Sequence, residues 1–311
     1  MSTMTLLRVV TATFLLVSLV VINSAAFAAP LGFIKQLEGG RRGQSIEGLR
    51  DVKQYLQKFG YYLNDDHKDT NANEATVHQN YDEFDELLEA AIKRYQLTHR
   101  IPVSGALDRA TTTQMMIPRC GVSDHGLVIM TVDYGDQKKP NDYAFFPGKP
   151  KWNKNNLQYR FGITSSPPAG LEEPTIKAAV DKAFQSWKNV TEFTFDYVAG
   201  TFAPADLKIS FFSRRHGDRS PFQGAKGATA HAFPPRYGEL HYNADFKWSD
   251  DPSPTEMDLE SIAVHEIGHT LGLLHSVNKA AIMYPYLNTG KIKRELQSAD
   301  IEGIRKLYGL S

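Results

Sequence analysis

Leu49, Val52, Leu56 and Phe59 fall at helical spacing, and Phe84, Leu87, Leu88, Ala91, Ile92 and Tyr95 repeat the pattern further on. The polar run 64–80 between them reads as a loop. A third short helix is expected over residues 108–116, after the turn at Val103-Ser104-Gly105. Together these predict a small all-α module ending near Ile117-Pro118. Residues 125–156 show no period and carry Pro147-Gly148-Lys149-Pro150, so they read as a linker. Beyond it, alternation over 157–161 predicts a strand. Ile176, Ala179, Val180, Ala183, Phe184 and Trp187 then form one helical stripe. Strands are expected at 192–198 and 207–212, and helices over 258–271 and 298–308, with a Gly- and His-rich segment, 213–248, in between. Strands alternating with helices point to an α/β (α+β) unit.

Ahead of the first helix, residues 14–22 (FLLVSLVVI) are almost wholly apolar, follow Arg8 and precede Ala26-Phe27-Ala28. That order predicts a cleaved signal peptide over residues 1–28. A membrane span needs about 20 apolar residues, and no second long apolar run occurs. The mature protein is therefore expected to be secreted, with no membrane anchor and no lipid-anchor signal at its C-terminus. Asn189-Val190-Thr191 is the single glycosylation sequon. Thirty-five basic and 35 acidic residues cancel, which removes any argument from overall charge for a nucleic-acid partner. One cysteine, Cys120, excludes an internal disulfide framework.

The sharpest chemistry lies in His265-Glu266-Ile267-Gly268-His269-Thr270-Leu271-Gly272-Leu273-Leu274-His275. On a helix, His265 and His269 project from one face a turn apart and can share a metal. Glu266 projects to the side where a metal-bound water would sit. Gly272 lets the chain end the helix and double back to offer His275. Three imidazoles and one open position describe a catalytic zinc rather than a closed structural one. This is the metzincin form of the zincin motif, HExxHxxGxxH, and Ala281-Ile282-Met283-Tyr284-Pro285 stands where its Met-turn is expected.

Pro118-Arg119-Cys120-Gly121-Val122-Ser123-Asp124 closely resembles the cysteine-switch sequence PRCGVxD of matrix metalloproteinase propeptides. With the zinc motif, the chain after residue 28 is similar to a matrix metalloproteinase (matrixin) zymogen, and more narrowly to the plant type without a hemopexin-like domain. The resemblance implies a propeptide over 29–135, its helices resembling a peptidoglycan-binding module and its switch at 118–124. A catalytic domain over 136–311 would follow, with a twisted, mostly parallel sheet and three helices. It also implies that Cys120 occupies the zinc until the propeptide leaves, with Arg119 and Asp124 as a charge pair shaping the loop. Cleavage is expected between about residues 125 and 142, and Asp300 is the candidate to receive the new N-terminal amine. The propeptide would be an intramolecular inhibitor of a monomeric enzyme acting on extracellular proteins, in the cell wall or apoplast if the source is a plant.

Further sites follow from the same resemblance. His216, Asp218, His231 and His241 match the structural-zinc segment, giving two zinc ions per catalytic domain. The remaining histidines, His67, His78, His99 and His125, are expected at the surface. Thr229 and Ala230 fall on the edge strand that pairs with substrate, Ser261 on the S1′ pocket, and Leu287 where many relatives have tyrosine. Matrixins also carry a structural calcium, using carboxylates in PFDG and HFDxDE segments. Gln223, Asn243 and Phe246 stand where three of those carboxylates are expected, so calcium should be weak or absent there.

The implied reaction is peptide hydrolysis by zinc-activated water, with Glu266 as general base and Met283 as an apolar floor. The alternatives are a catalytically silent secreted zinc-binding protein and a cell-wall-binding protein. An intact Glu266 argues against the first, since a structural site has no use for an unliganded carboxylate.

Overall fold

The structure, a computed structural model, describes residues 32–62, 81–128, 142–162, 170–225 and 227–310. The signal-peptide residues, the 64–80 loop, His67, His78 and the centre of the 125–142 linker lie outside them. Among the described residues no helix is long and apolar enough to cross a membrane.

A 3₁₀ turn, Gly32–Leu37, opens the N-terminal module, followed by α1 (Leu49–Lys58), α2 (Glu86–Thr98) and α3 (Arg109–Met115). Asp85 and Asp108 cap α2 and α3 by accepting the amides of Leu88 and Thr111. Leu49, Val52, Leu56, Leu88, Ile92 and Tyr95 close one core with Ile34 and Leu37, against which Val128 also packs. The expected helices are present; the 3₁₀ turn, too short for a period to show, was not foreseen.

The second module holds β1 (Asn156–Phe161), α4 (Glu173–Lys188), β2 (Thr194–Tyr197), β3 (Leu207–Phe212), β4 (Ala230–Ala232) and β5 (Glu239–Asn243). Two short strands follow, β6 (Trp248–Ser249) and β7 (Met257–Asp258), and then α5 (Leu259–Thr270) and α6 (Ser298–Tyr308). The sheet runs β2-β1-β3-β5-β4, parallel throughout except for antiparallel β4 on its edge. This is the mostly parallel sheet with three helices that the resemblance implied. Trp187 at the end of the α4 stripe donates its Nε1–H to Val264 O on α5, tying the two helices together. Every residue of α5 is buried, the condition of a helix covered on all sides.

The linker reading needs correction. Ala144 and Trp152 are buried, Phe145 bridges to Leu273, and Trp152 donates its Nε1–H to Thr270 O. These apolar residues find their partners more than a hundred positions later, so no local period reveals them.

Candidate active site

Asp258 caps α5 by accepting the Ser261 amide at 2.9 Å and is itself gripped by the Arg294 guanidinium at 2.5 and 2.9 Å. The helix stops at Leu271, and Gly272 turns the chain with φ 104°. A Cβ at Gly272 would lie 2.5 Å from Pro150 O, so this reversal requires glycine. His275 is thereby brought back beside His265 and His269. His269 Nε2 lies 3.2 Å from the Nε2 atoms of both His265 and His275.

The other ring nitrogens decide what those three atoms are. His265 Nδ1 meets Ile282 O at 2.7 Å and His269 Nδ1 meets Leu273 O at 2.8 Å. A carbonyl only accepts, so each Nδ1 carries the proton and each Nε2 presents a lone pair. Burial lowers the pKa of all three rings, which keeps them neutral. Lone pairs packed at this distance repel unless a cation sits between them, and a zinc ion fits such a donor set. The fourth member is Cys120, whose Sγ is 3.4 Å from His269 Nε2; the four ligand atoms all lie within 4.8 Å of one another.

Glu266 is wholly buried beside the Cys120 thiol, and neither carboxylate oxygen has an N–H or O–H partner among the described residues. Burial pushes its pKa up to about 8, with the thiol opposing. Met283, 2% exposed, lies under α5 against Gly268, where a Cβ would be 2.4 Å from its sulfur. Asp300 accepts the backbone amides of Ile282, Met283 and Gln297, so its oxygens already hold the Met283 turn in place.

A second cluster gathers at the sheet edge. Register pairs His231 on β4 directly with His241 on β5. Asp218 Oδ2 lies 2.8 Å from His216 Nε2 and His231 Nε2, and 3.0 Å from His241 Nδ1. His216 Nδ1 meets Arg214 O at 2.8 Å, so that nitrogen carries a proton and Nε2 is the atom that faces Asp218. Three imidazole nitrogens around one carboxylate oxygen form a donor set that a zinc ion fits. Burial works to raise the Asp218 pKa, but His231, the Ser220 backbone amide and His216 hold it below the usual carboxylate range.

Residues 118–121 fill the space between β4 and the chain after Met283. Gly121 donates to Ala230 O at 2.7 Å and Thr229 donates to Arg119 O at 2.9 Å. Across the gap, Cys120 donates to Pro285 O at 2.8 Å and Leu287 donates to Pro118 O at 3.1 Å. Beside Cys120, a narrow pocket is lined by Thr229, Ser261, Ile262, Ile282, Leu287 and Lys293, among others. The Ser261 hydroxyl donates to Asp258 and accepts the Lys293 amide, so it is bonded into the wall. Asn189 is the exposed C-cap of α4.

Arg119 and Asp124 do pair, at 2.8 Å, and the second Asp124 oxygen lies 2.6 Å from His275 Nδ1. The surface expectation for His99 is wrong. It is 2% exposed, with Tyr61 OH 2.6 Å and Tyr286 OH 3.2 Å from its Nε2. Its partners come from three distant segments, and single-residue spacing carries no trace of them. Asp258 was missed although it is an acid directly before a helix, a cap signal that was available.

Residues 151–309 match the family model described as matrixin, and residues 45–115 the one described as putative peptidoglycan binding domain. The chain is 39% identical over 275 residues to metalloendoproteinase 1 of Glycine max, covering 86% of this chain and 84% of that protein. It is 40% identical over 272 residues to metalloendoproteinase 1-MMP of Arabidopsis thaliana, covering 86% and 70%. Against neutrophil collagenase of Homo sapiens the figures are 33% over 269 residues, 85% and 51%.

Proposed function

The chain belongs to the matrixin family of zinc metalloendopeptidases, and from that premise we propose that it is a secreted protease held latent by its own N-terminal module. One observation carries the reading: the Cys120 thiol completes a set of metal-ligand atoms whose other three members are His265, His269 and His275. A thiol is a strong zinc ligand, and while it stays there a water molecule cannot.

Zinc, when bound by the three imidazoles, supplies a Lewis acid that polarises the scissile carbonyl and acidifies water. Glu266 acts as general base, taking a proton from the attacking water onto its carboxylate and passing it to the leaving amine. An extended substrate would take the backbone partners now used by residues 118–121, namely Thr229, Ala230, Pro285 and Leu287. The cavity beside Cys120 would receive the side chain after the cut bond. A second zinc on His216, Asp218, His231 and His241 would hold the edge strand. Secretion rests on residues 1–28, and activation on cleavage in the 125–142 linker. The enzyme would act as a monomer, with Asn189 accessible to glycosylation.

The test is cleavage of a quenched fluorescent peptide by the purified proform, before and after treatment with a thiol-reactive organomercurial. Activity should appear only after treatment and vanish with a zinc chelator. Glu266→Ala should lower it by roughly 10²–10⁴-fold while leaving zinc bound. Equal activity before and after treatment would rule out the thiol as the lock. An active Glu266→Ala would remove the assigned base.

A further inference from the structure

The calcium that matrixins carry has no matching donor set here, and the residues in its place form a different device. Asn243 ends β5 and is wholly buried. Its side-chain Nδ2 donates to Gly224 O at 2.9 Å and to Ala228 O at 2.8 Å. Its Oδ1 accepts the Asp245 amide at 3.0 Å, and its own amide donates to Thr229 O at 2.9 Å. Phe246, buried at 8% exposure, lies in the apolar core beside Trp248. Its side chain offers no oxygen to an ion.

Two backbone carbonyls therefore converge on one point from a single loop. Carbonyl oxygens only accept, so a point where two meet must be filled by a donor or by a cation. An asparagine amide has two N–H groups on one nitrogen, and both find a carbonyl here. An aspartate in this place would turn a third acceptor toward the two carbonyls, an arrangement stable only around a positive ion.

We propose that the Asn243 amide takes the place of a structural cation, pinning the 224–228 turn to β5 without calcium. The turn leads straight into Thr229, Ala230 and His231, which belong to the cleft wall and the second metal cluster. The amide thus holds the substrate-side edge in position by two neutral hydrogen bonds. With Gln223, Asn243 and Phe246 present, three anionic groups are absent along with the ion they would need, so the loop sheds both signs of charge together. This inference concerns loop stability and does not depend on the catalytic reading.

The experiment is thermal unfolding of the zinc-loaded proform in calcium-depleted buffer supplemented with zinc, followed by titration with calcium chloride. Asn243→Asp should lower the midpoint by roughly 4–8 °C without calcium, from two lost hydrogen bonds, and calcium should restore part of the loss. Asn243→Ala should lose as much, and any calcium response it shows should equal that of wild type. A wild-type calcium response abolished by Asn243→Ala would overturn the proposal, as would an Asn243→Asp protein as stable as wild type without calcium. Should the variants fail to fold, hydrogen exchange on the wild-type proform decides. Amides over 227–231 should be equally protected with and without calcium, and protection that appears only with calcium overturns the proposal.

Discussion

Arg119 is a guanidinium with almost no access to water, 2% exposed, set between the rings of Phe59 and Tyr286 at 3.7 and 4.9 Å from their centroids. Its charge is answered by Asp124, 0% exposed. Burial works to raise the Asp124 pKa, but Arg119 and His275 overcome it and hold the group well below the ordinary range. Removing one member of such a pair leaves the other charged and dry, at a cost of about 3–5 kcal/mol. Asp124→Asn should therefore loosen the switch: its proform should cleave peptide without thiol treatment, and Cys120 should react faster with a chromogenic disulfide. A variant as silent and as unreactive as wild type would deny the pair a latching role. The pair itself was legible from six neighbouring residues. Its bond to His275, 151 positions away, was not, because nothing local marks a metal ligand's second nitrogen as needing a carboxylate.

α5 shows the same division at the level of elements. Its motif sets the ligands, and the expected span 258–271 is close to the observed Leu259–Thr270. The seat beneath it depends on Gly268, where a Cβ would stand 2.4 Å from Met283 Sδ and 2.9 Å from the Trp187 ring. Alanine favours a helix over glycine by about 1 kcal/mol, but overpacking costs about 1–3. Gly268→Ala should thus be destabilising by up to about 2 kcal/mol in denaturant unfolding. Unchanged stability would mean that the Met283 side chain yields freely. β4 was invisible within the Gly- and His-rich segment, since a strand of three residues is too short to show alternation, whereas Glu239-Leu240-His241-Tyr242-Asn243 of β5 does alternate and its signal is masked by the ligand spacing. Ligand spacing, rather than apolar period, marks that region. Asp218→Ala should lower the metal content from two zinc ions per chain to one and open the 213–229 segment to proteolysis. Two ions retained in the variant would remove Asp218 from the ligand set.

Across the whole molecule, the two modules meet through a buried polar network set beside a small apolar seam of Cys120, Val122, Leu127, Ala144, Leu274 and Val277. Tyr55, Tyr61, Tyr95 and His99 come from one side and Tyr286 from the other, with the Arg119–Asp124 pair beside them. Burial holds the His99 pKa down to about 3; Asp124 opposes, while Arg119, His275 and Lys279 add to the depression. An undocked propeptide would release the ring to its ordinary value near 6.5, so the undocked state binds more protons between those limits. Docking is therefore strongest above pH 6.5 and weakens as the pH falls toward 3, by at most about 1.4 kcal/mol per unit from this one group. The zinc-ligand histidines also respond to acid, so a bare pH profile does not isolate His99. The difference between wild type and His99→Gln does. Spontaneous activation of the wild-type proform should rise more steeply from pH 7 to 5 than that of the variant, although the variant starts from a looser interface at neutral pH. Parallel slopes would place the acid response in the metal clusters and leave His99 as a structural filler. A steeper wild-type slope would make an acidic compartment a second route to opening the cleft, independent of the thiol.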